Sequence, residues 1–316
     1  RMMGCAASRL GVELVTLDPG GDGAPASCVS RQTIPGSFQD AAKVRELAKN
    51  CDVITAEIEH VTVDVLAELE AEGMLVRPSS TVIRTIQDKM VQKQVMGSHG
   101  VPVVEWREVT STATADVVAV ANALGGFPAM LKSRRHAYDG KGNAVLESAD
   151  DVPDKVAKLA RTPGGLYMER WAPFRAELAV MVARAPGGSV AVYEVVETRH
   201  EDNICRVVVT PPPLDVPPAA RARARDLARL AVEALDGVGI FGVEMFWMGG
   251  SEVVLNEMAP RPHNSGHYTI EACVTDQFEQ HLRCVVGRPL GDPAMRVGAC
   301  AMINLLGRDT MAETME

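Results

Sequence analysis

The segment Asn256-Glu257-Met258-Ala259-Pro260-Arg261-Pro262-His263-Asn264-Ser265-Gly266-His267 gathers metal-type, cationic and hydrogen-bonding side chains behind an apolar run. Upstream, Gly239 to Trp247 reads as a strand, and the Gly249-Gly250 turn between the two predicts an antiparallel hairpin. A loop from Gly249 to Glu252 places Glu244 directly across from Glu257. Two carboxylates at one cross-strand position repel, and they persist where a cation or a shared proton lies between them. Divalent Mg2+ with a phosphate ligand suits that pair, so the run reads as the floor of a phosphate-handling site.

Other residues add to this chemistry. Lys132 follows the apolar strand Pro128-Ala129-Met130-Leu131, where a lysine must reach a polar cleft or an anion. Lys89 lies in Gln87-Asp88-Lys89-Met90-Val91-Gln92-Lys93; taken alone, each of these lysines reads as a solvated surface residue. The stretch Arg134 to Asn143, rich in cations and glycine and set between two strands, suits polyphosphate. Glu169 ends the strand Leu166-Tyr167-Met168, and Glu177 follows Trp171-Ala172-Pro173-Phe174; an acid beside backbone edges can hold an adenosine. The plain alternative for either glutamate is a charge at a strand end. Glu57 and Glu59 alternate with Ile58 after a strand, which puts both on one face at its carboxyl end, either as ligand contacts or as a solvated strand terminus.

The elements needed to position these groups are legible in outline. Strands at 13–17, 53–56 and 75–76 alternate with helical spacing at 39–50 and 64–72, the pattern of a parallel sheet. Ser79 or Ser80 caps a helix that runs to about His99, and Gly100-Val101-Pro102 marks a boundary. A helix at 115–124 and strands at 103–109, 127–132 and 144–147 follow. From Gly165 strand signals dominate, at 166–171, 177–183, 190–197 and 204–209, until Pro211 to Pro218 halts the sheet. Helices at 219–235 and 269–286 flank the glutamate hairpin, and Gly298 to Leu305 opens a new strand.

With 316 residues, 47% of them hydrophobic, the chain can bury a large core in two or three domains. Its net charge of -9 leaves no nucleic-acid footprint, and no apolar run reaches the length of a membrane span, so neither partner is expected. Seven scattered cysteines form no Cys-x-x-Cys or Cys/His cluster, which indicates a reducing compartment. The chain opens at Arg1 within a helical pattern, and no targeting segment can be read from it.

Tyr138-Asp139-Gly140-Lys141-Gly142-Asn143, Glu169-Arg170-Trp171-Ala172-Pro173-Phe174 and Asn256-Glu257 to His267 together resemble the N5-carboxyaminoimidazole ribonucleotide synthetases of purine biosynthesis, members of the ATP-grasp group. Val196 to Cys205 is most similar to the eukaryotic form, in which this module is fused to a second catalytic domain as phosphoribosylaminoimidazole carboxylase. The resemblance implies an α/β and α+β chain: a Rossmann-like pre-ATP-grasp domain over 1–85, an ATP-grasp domain over 86–292 with lobes at about 100–170 and 171–292, and the start of a C-terminal domain over 293–316. The family's glycine-rich first turn would lie upstream of Arg1, and a basic segment that helps bind the ribonucleotide phosphate would follow Glu316.

It further implies an enzyme that uses ATP, Mg2+ and bicarbonate to carboxylate aminoimidazole ribonucleotide through carboxyphosphate. By similarity Lys89, Lys132, Ala137, Tyr138, Asp139, Gly140, Lys141, Gly142 and Asn143 handle the phosphates. Glu169, Arg170, Trp171, Ala172, Glu177 and His200 hold the nucleoside. Glu244 and Glu257 carry Mg2+ with Asn256, and Glu59, Tyr138, Asp139 and Arg261 meet the ribonucleotide. Arg261, His263 and Asn264 are the expected catalytic groups, supplying the positive charge that an unstable carboxyphosphate requires. A homo-oligomer is expected, in the cytoplasm or, for a plant or alga, a plastid. The competing readings are a formate-using glycinamide ribonucleotide transformylase and a nucleotide-binding module without catalysis.

Overall fold

The computed structural model describes residues 1–135, 142–213 and 215–307. Ala137, Tyr138, Asp139, Gly140 and Lys141, named above as phosphate or substrate contacts, lie outside the described residues.

The first part alternates helix and strand: α1 (Met2–Leu10), β1 (Val15–Asp18), β2 (Gln32–Pro35), α2 (Ala41–Ala48), β3 (Val53–Ile54), α3 (Val63–Ala71), β4 (Leu75–Val76) and α4 (Ser80–Gln87). Its strands form two parallel pairs, β1 with β2 and β3 with β4. Two cavities of about 520 and 390 Å3 lie where β1 and β3 face each other, and no residue of the glutamate hairpin lines either. Strand β3 ends at Ile54, so the expected single face for Glu57 and Glu59 does not form: both sit in a bend, Glu57 exposed and Glu59 half-buried.

The helix expected from Ser80 to His99 is two helices. Asp88 breaks it in extended conformation (φ -105, ψ 101) and caps α5 (Lys89–Ser98) by accepting from Val91 N at 3.2 Å. The physical reason is its buried carboxylate, which also binds Arg134 at 2.8 Å and Arg135 at 3.3 Å and so cannot follow the helical path.

Next comes a small lobe of β5 (Trp106–Val109), α6 (Thr114–Ala123), β6 (Ala129–Ser133), β7 (Asn143–Leu146), α7 (Val152–Leu159) and β8 (Leu166–Arg170), whose antiparallel sheet runs β5-β8-β6-β7. Alternation divides its faces. Leu131, Leu146, Leu166 and Met168 pack on Val117, Ala121, Val152 and Val156 of the two helices, while Lys132, Tyr167 and Glu169 face the other way.

The large lobe holds β9 (Ala176–Arg184), β10 (Val190–Val192), β11 (Val196–Glu201), β12 (Ile204–Thr210), α8 (Pro218–Leu235), β13 (Gly239–Gly249), β14 (Glu252–Ala259), α9 (Thr269–Ala272), α10 (Gln277–Val285) and β15 (Cys300–Ile303). The sheet order is β14-β13-β9-β11-β12-β15, with β10 paired to β9. The run expected over 190–197 is therefore two strands, and 269–286 is two helices. Residues 300–303 pair antiparallel with β12 and extend this sheet rather than standing apart from it.

Leu178, Val180, Val243 and Met245 pack one sheet face onto Ala224, Leu227, Ala228 and Ala231 of α8. Burial of each such aliphatic side chain of Val or Leu size contributes roughly 1.5–3 kcal/mol. The opposite face carries Ala179, Met181 and Ile240 in a second apolar cluster, and its polar end carries Glu177 and Glu244. Among the described residues no helix is long and apolar enough to cross a membrane.

Candidate functional site

The hairpin register places Glu244 opposite Glu257. Two irregularities, between Glu244 and Met245 and between Trp247 and Gly249, offset each other, so the loop ends with Gly249 paired to Glu252. Burial, reinforced by the neighbouring charge of Glu257, raises the Glu244 carboxyl to about 8. Glu257 goes the other way: burial pushes it up, but the Lys89 ammonium that binds its Oε2 prevails and holds it near 2. Glu257 stands at the mouth of the cleft with 37% of its side chain exposed, so Lys89 rather than isolation from water sets its charge.

Beside them, Asn256 Oδ1 is buried and has no hydrogen-bond partner. Two carboxylates and an unpaired amide oxygen form the hard-oxygen set that Mg2+ takes when phosphate and water complete its shell. Among the described residues no three His, Cys, Asp or Glu side chains converge on one point, so these groups alone would fill only part of such a shell. The residues fit the ion.

Glu177 and His200, expected beside the nucleoside, stand on β9 and β11. His200 Nδ1 lies 3.0 Å from Glu177, whose carboxylate raises the imidazole above its ordinary value against the effect of burial. Glu169, expected beside the nucleoside, has its carboxylate already paired. Its side chain is 3% exposed, and its oxygens lie 3.0 Å from Lys93 and 3.0 Å from Lys132. A carboxylate this deeply buried needs its cations. The Arg170 side chain is likewise committed, to Glu105 at 2.7 Å on the outer surface. From there Trp171 and Ala172 lead irregularly into β9, with Phe174 stacked on Phe246 at 4.4 Å. Gly142 accepts from Ser133 N at 2.8 Å, and Asn143 pairs with Lys132 across β6 and β7.

Arg261 extends back to the first domain and binds Glu59 through Nε, with Nη2 to Oε1 at 3.3 Å. Burial alone would raise Glu59, but the guanidinium holds it below the usual carboxylate range. His263 follows. Burial and the charge of Arg261 depress it to about 4, and Nδ1 accepts from Ser265 N at 3.4 Å while facing its hydroxyl at 2.8 Å. Neutral imidazole then presents Nε2–H toward Glu244, 3.9 Å away. Asn264 is exposed in the short turn beyond it.

Three residues that sequence reasoning passed over hold this site together. Gln92 Nε2 donates to Met258 O at 3.2 Å and its Oε1 accepts from Met258 N at 3.1 Å, while Lys93 Nζ donates to Asn256 O at 3.2 Å. Asp88 ties the start of the same helix to Arg134, whose carbonyl accepts from Lys89 N at 2.9 Å. Asp88 had a sequence signal, an aspartate ahead of Lys-Met-Val-Gln-Lys in cap position. Gln92 and Lys93 had none, since a polar helix residue reads as exposed.

Two lobes joined by α5, with lysines on one side and paired acids on the other, define the ATP-grasp class. The ATP-grasp domain family matches residues 94–278, and the ribonucleotide synthetase preATP-grasp domain family matches residues 1–87. The N5-carboxyaminoimidazole ribonucleotide synthase of Synechococcus elongatus is 40% identical over 97% of this chain and 75% of its own length. The chloroplastic phosphoribosylaminoimidazole carboxylase of Vigna aconitifolia is 44% identical over 98% of this chain and 54% of its own. Among solved structures, the Aspergillus clavatus N5-carboxyaminoimidazole synthase in complex with ADP and 5-aminoimidazole ribonucleotide is 39% identical, with a TM-score of 0.90 over 100% of this chain and 81% of that one. The chain belongs to the ATP-grasp family of N5-carboxyaminoimidazole ribonucleotide synthases. It spans about half the length of the carboxylases it matches.

Proposed function

We propose that the chain carries out the ATP- and bicarbonate-dependent carboxylation of 5-aminoimidazole ribonucleotide to its N5-carboxy derivative, as part of purine biosynthesis. The observation that carries this reading is the juxtaposition of Glu244, Glu257 and the unpaired Asn256 Oδ1 with Lys89 on one side and the Arg261–Glu59 pair on the other.

A bicarbonate oxygen attacks the γ-phosphorus and the bond to ADP breaks, giving carboxyphosphate. The exocyclic amine of the ribonucleotide then attacks its carbonyl carbon. The C–O bond to phosphate breaks, and the amine proton leaves with the departing phosphate. Lys89 and Lys132 bind phosphate oxygens, Glu177 with His200 holds the ribose, and Asn143 and Gly142 sit beside the phosphates. Glu244, Glu257 and Asn256 would hold Mg2+, which when bound would supply positive charge against the phosphates. Arg261 neutralises the carboxyphosphate, His263 donates from Nε2, Asn264 borders the same turn, and Glu59 orients Arg261 and meets the ribonucleotide. Tyr138 and Asp139 are assigned to the ribonucleotide by resemblance alone.

On the same footing we place the chain in a reducing compartment, self-associated and, in a longer protein, joined to a carboxylase module. The test is ATP hydrolysis that requires bicarbonate and is stimulated by aminoimidazole ribonucleotide. Stimulation only by formate with glycinamide ribonucleotide overturns the reading, and ATP binding without hydrolysis under any of these conditions favours a non-catalytic module.

A further inference from the structure

Lys93 has no part in the chemistry above, yet its side chain is only 2% exposed. Its ammonium sits 3.0 Å from Glu169 Oε1, and Lys132 sits 3.0 Å from Glu169 Oε2 with 10% of its side chain exposed. Two cations therefore share one buried carboxylate. The group carries one positive charge more than it balances, and a surplus charge away from water requires an anion. Burial lowers the Lys93 ammonium, and Lys132 adds to that effect against the pull of Glu169.

The geometry points to Lys93 as a positioning residue that neutralises Glu169, so that the charge of Lys132 stays free for the nucleotide phosphates. This rests on the reading of Lys132 as a phosphate ligand. With Lys93 absent, Lys132 and Glu169 become a closed pair with no net charge to offer. Lys93 also donates to Asn256 O, so the residue that frees Lys132 is bonded to the strand bearing Asn256 and Glu257. The lysine, the small-lobe acid and the metal strand are thus registered by one side chain, which has only to be a cation and never touches the nucleotide.

A double-mutant cycle in the whole chain tests this, with MgATP affinity read by calorimetry and folding by thermal melting. Lys93→Met weakens ATP binding about tenfold or more, the scale of one partly screened charge contact. Lys93→Met with Glu169→Gln restores affinity to within about threefold of the parent, because Lys132 is again unmatched. A cation that merely props the lobes apart gives a double variant at least as weak as the single one, and that result overturns the inference, as does a Lys93→Met protein that binds like the parent. Should Lys93→Met fail to fold, the double variant, which removes both buried charges, still decides against Glu169→Gln alone: parent-like binding in both supports the inference, and loss only in the double variant overturns it. A parent protein that binds no ATP, or a Lys132→Met variant that binds it unchanged, defeats the phosphate reading itself. Intact parent binding, lost with Lys132→Met but without recovery in the cycle, defeats the role of Lys93 alone.

Discussion

Glu244 and Glu257 occupy one cross-strand position and are pushed to different protonation states, Glu244 raised to about 8 by burial and Glu257 held near 2 by Lys89. Removing Lys89 would leave the two carboxylates to share a proton. Their separation explains how an acidic pair folds before any cation arrives.

A proton on Glu244 must leave when Mg2+ binds. Because the folded value lies above the unfolded one, this group's stabilisation is complete below pH 4.5 and is lost as pH rises through about 8. Calorimetry near pH 7 in buffers of different ionisation enthalpy should report close to one proton released per MgATP bound, and Glu244→Gln should abolish both the release and the slope. Uptake of protons on binding would contradict the assignment.

Glu257→Gln removes a metal oxygen and the partner of Lys89 together. Mg2+-dependent ATP turnover should fall on the order of 10²-fold. Steady-state assays in the longer protein that find normal turnover refute the metal role.

Arg261→Ala should lower kcat by about 10²- to 10³-fold while ATP affinity changes little, since the anion it faces forms during the reaction. Binding isotherms that show ATP affinity lost along with kcat would assign the guanidinium to the ground state instead.

His281 is fully buried, accepts from Ile240 N at 3.1 Å and faces the Thr55 hydroxyl at 2.8 Å; burial depresses it to about 4. Its stabilisation is present above the unfolded value of 6.5 and drains as pH falls toward 4, by about 2 kcal/mol between pH 6.5 and 5. Urea titrations at pH 7 and 5 should show that loss, and a His281→Gln variant should show less of it.

Asp88→Asn strips the charge from a carboxylate that is 2% exposed and faces two arginines. A stability loss of about 3 kcal/mol is expected in denaturant unfolding. A change within 0.5 kcal/mol of zero, the range of an ordinary surface substitution, would show that the arginines find other partners.

The glutamate register was legible because a diglycine turn sets the pairing locally, and the two irregularities that interrupt period-two alternation in the hairpin cancel before Glu244 and Glu257 are reached. Glu57 and Glu59 failed under the same rule, since β3 stops at Ile54 and no local residue signals that end. The commitment of Glu169 to two lysines, and of Gln92 to Met258, joins residues 37 to 166 positions apart. Such partners are fixed by the packing of separate elements, so the sequence shows the groups without showing which of them are already engaged.

The amide of Gln92 reproduces, on Met258, both hydrogen bonds of a neighbouring strand, and Pro102 O accepts from Leu255 N three residues earlier. Strand β14 is the terminal strand of its sheet. Its outer rim is therefore occupied along the stretch that carries Asn256 and Glu257, and a foreign strand cannot add there. Recruitment of another chain is thereby blocked at the strand that bears the acids, so misassembly of the sheet and ligand chemistry do not compete for one edge.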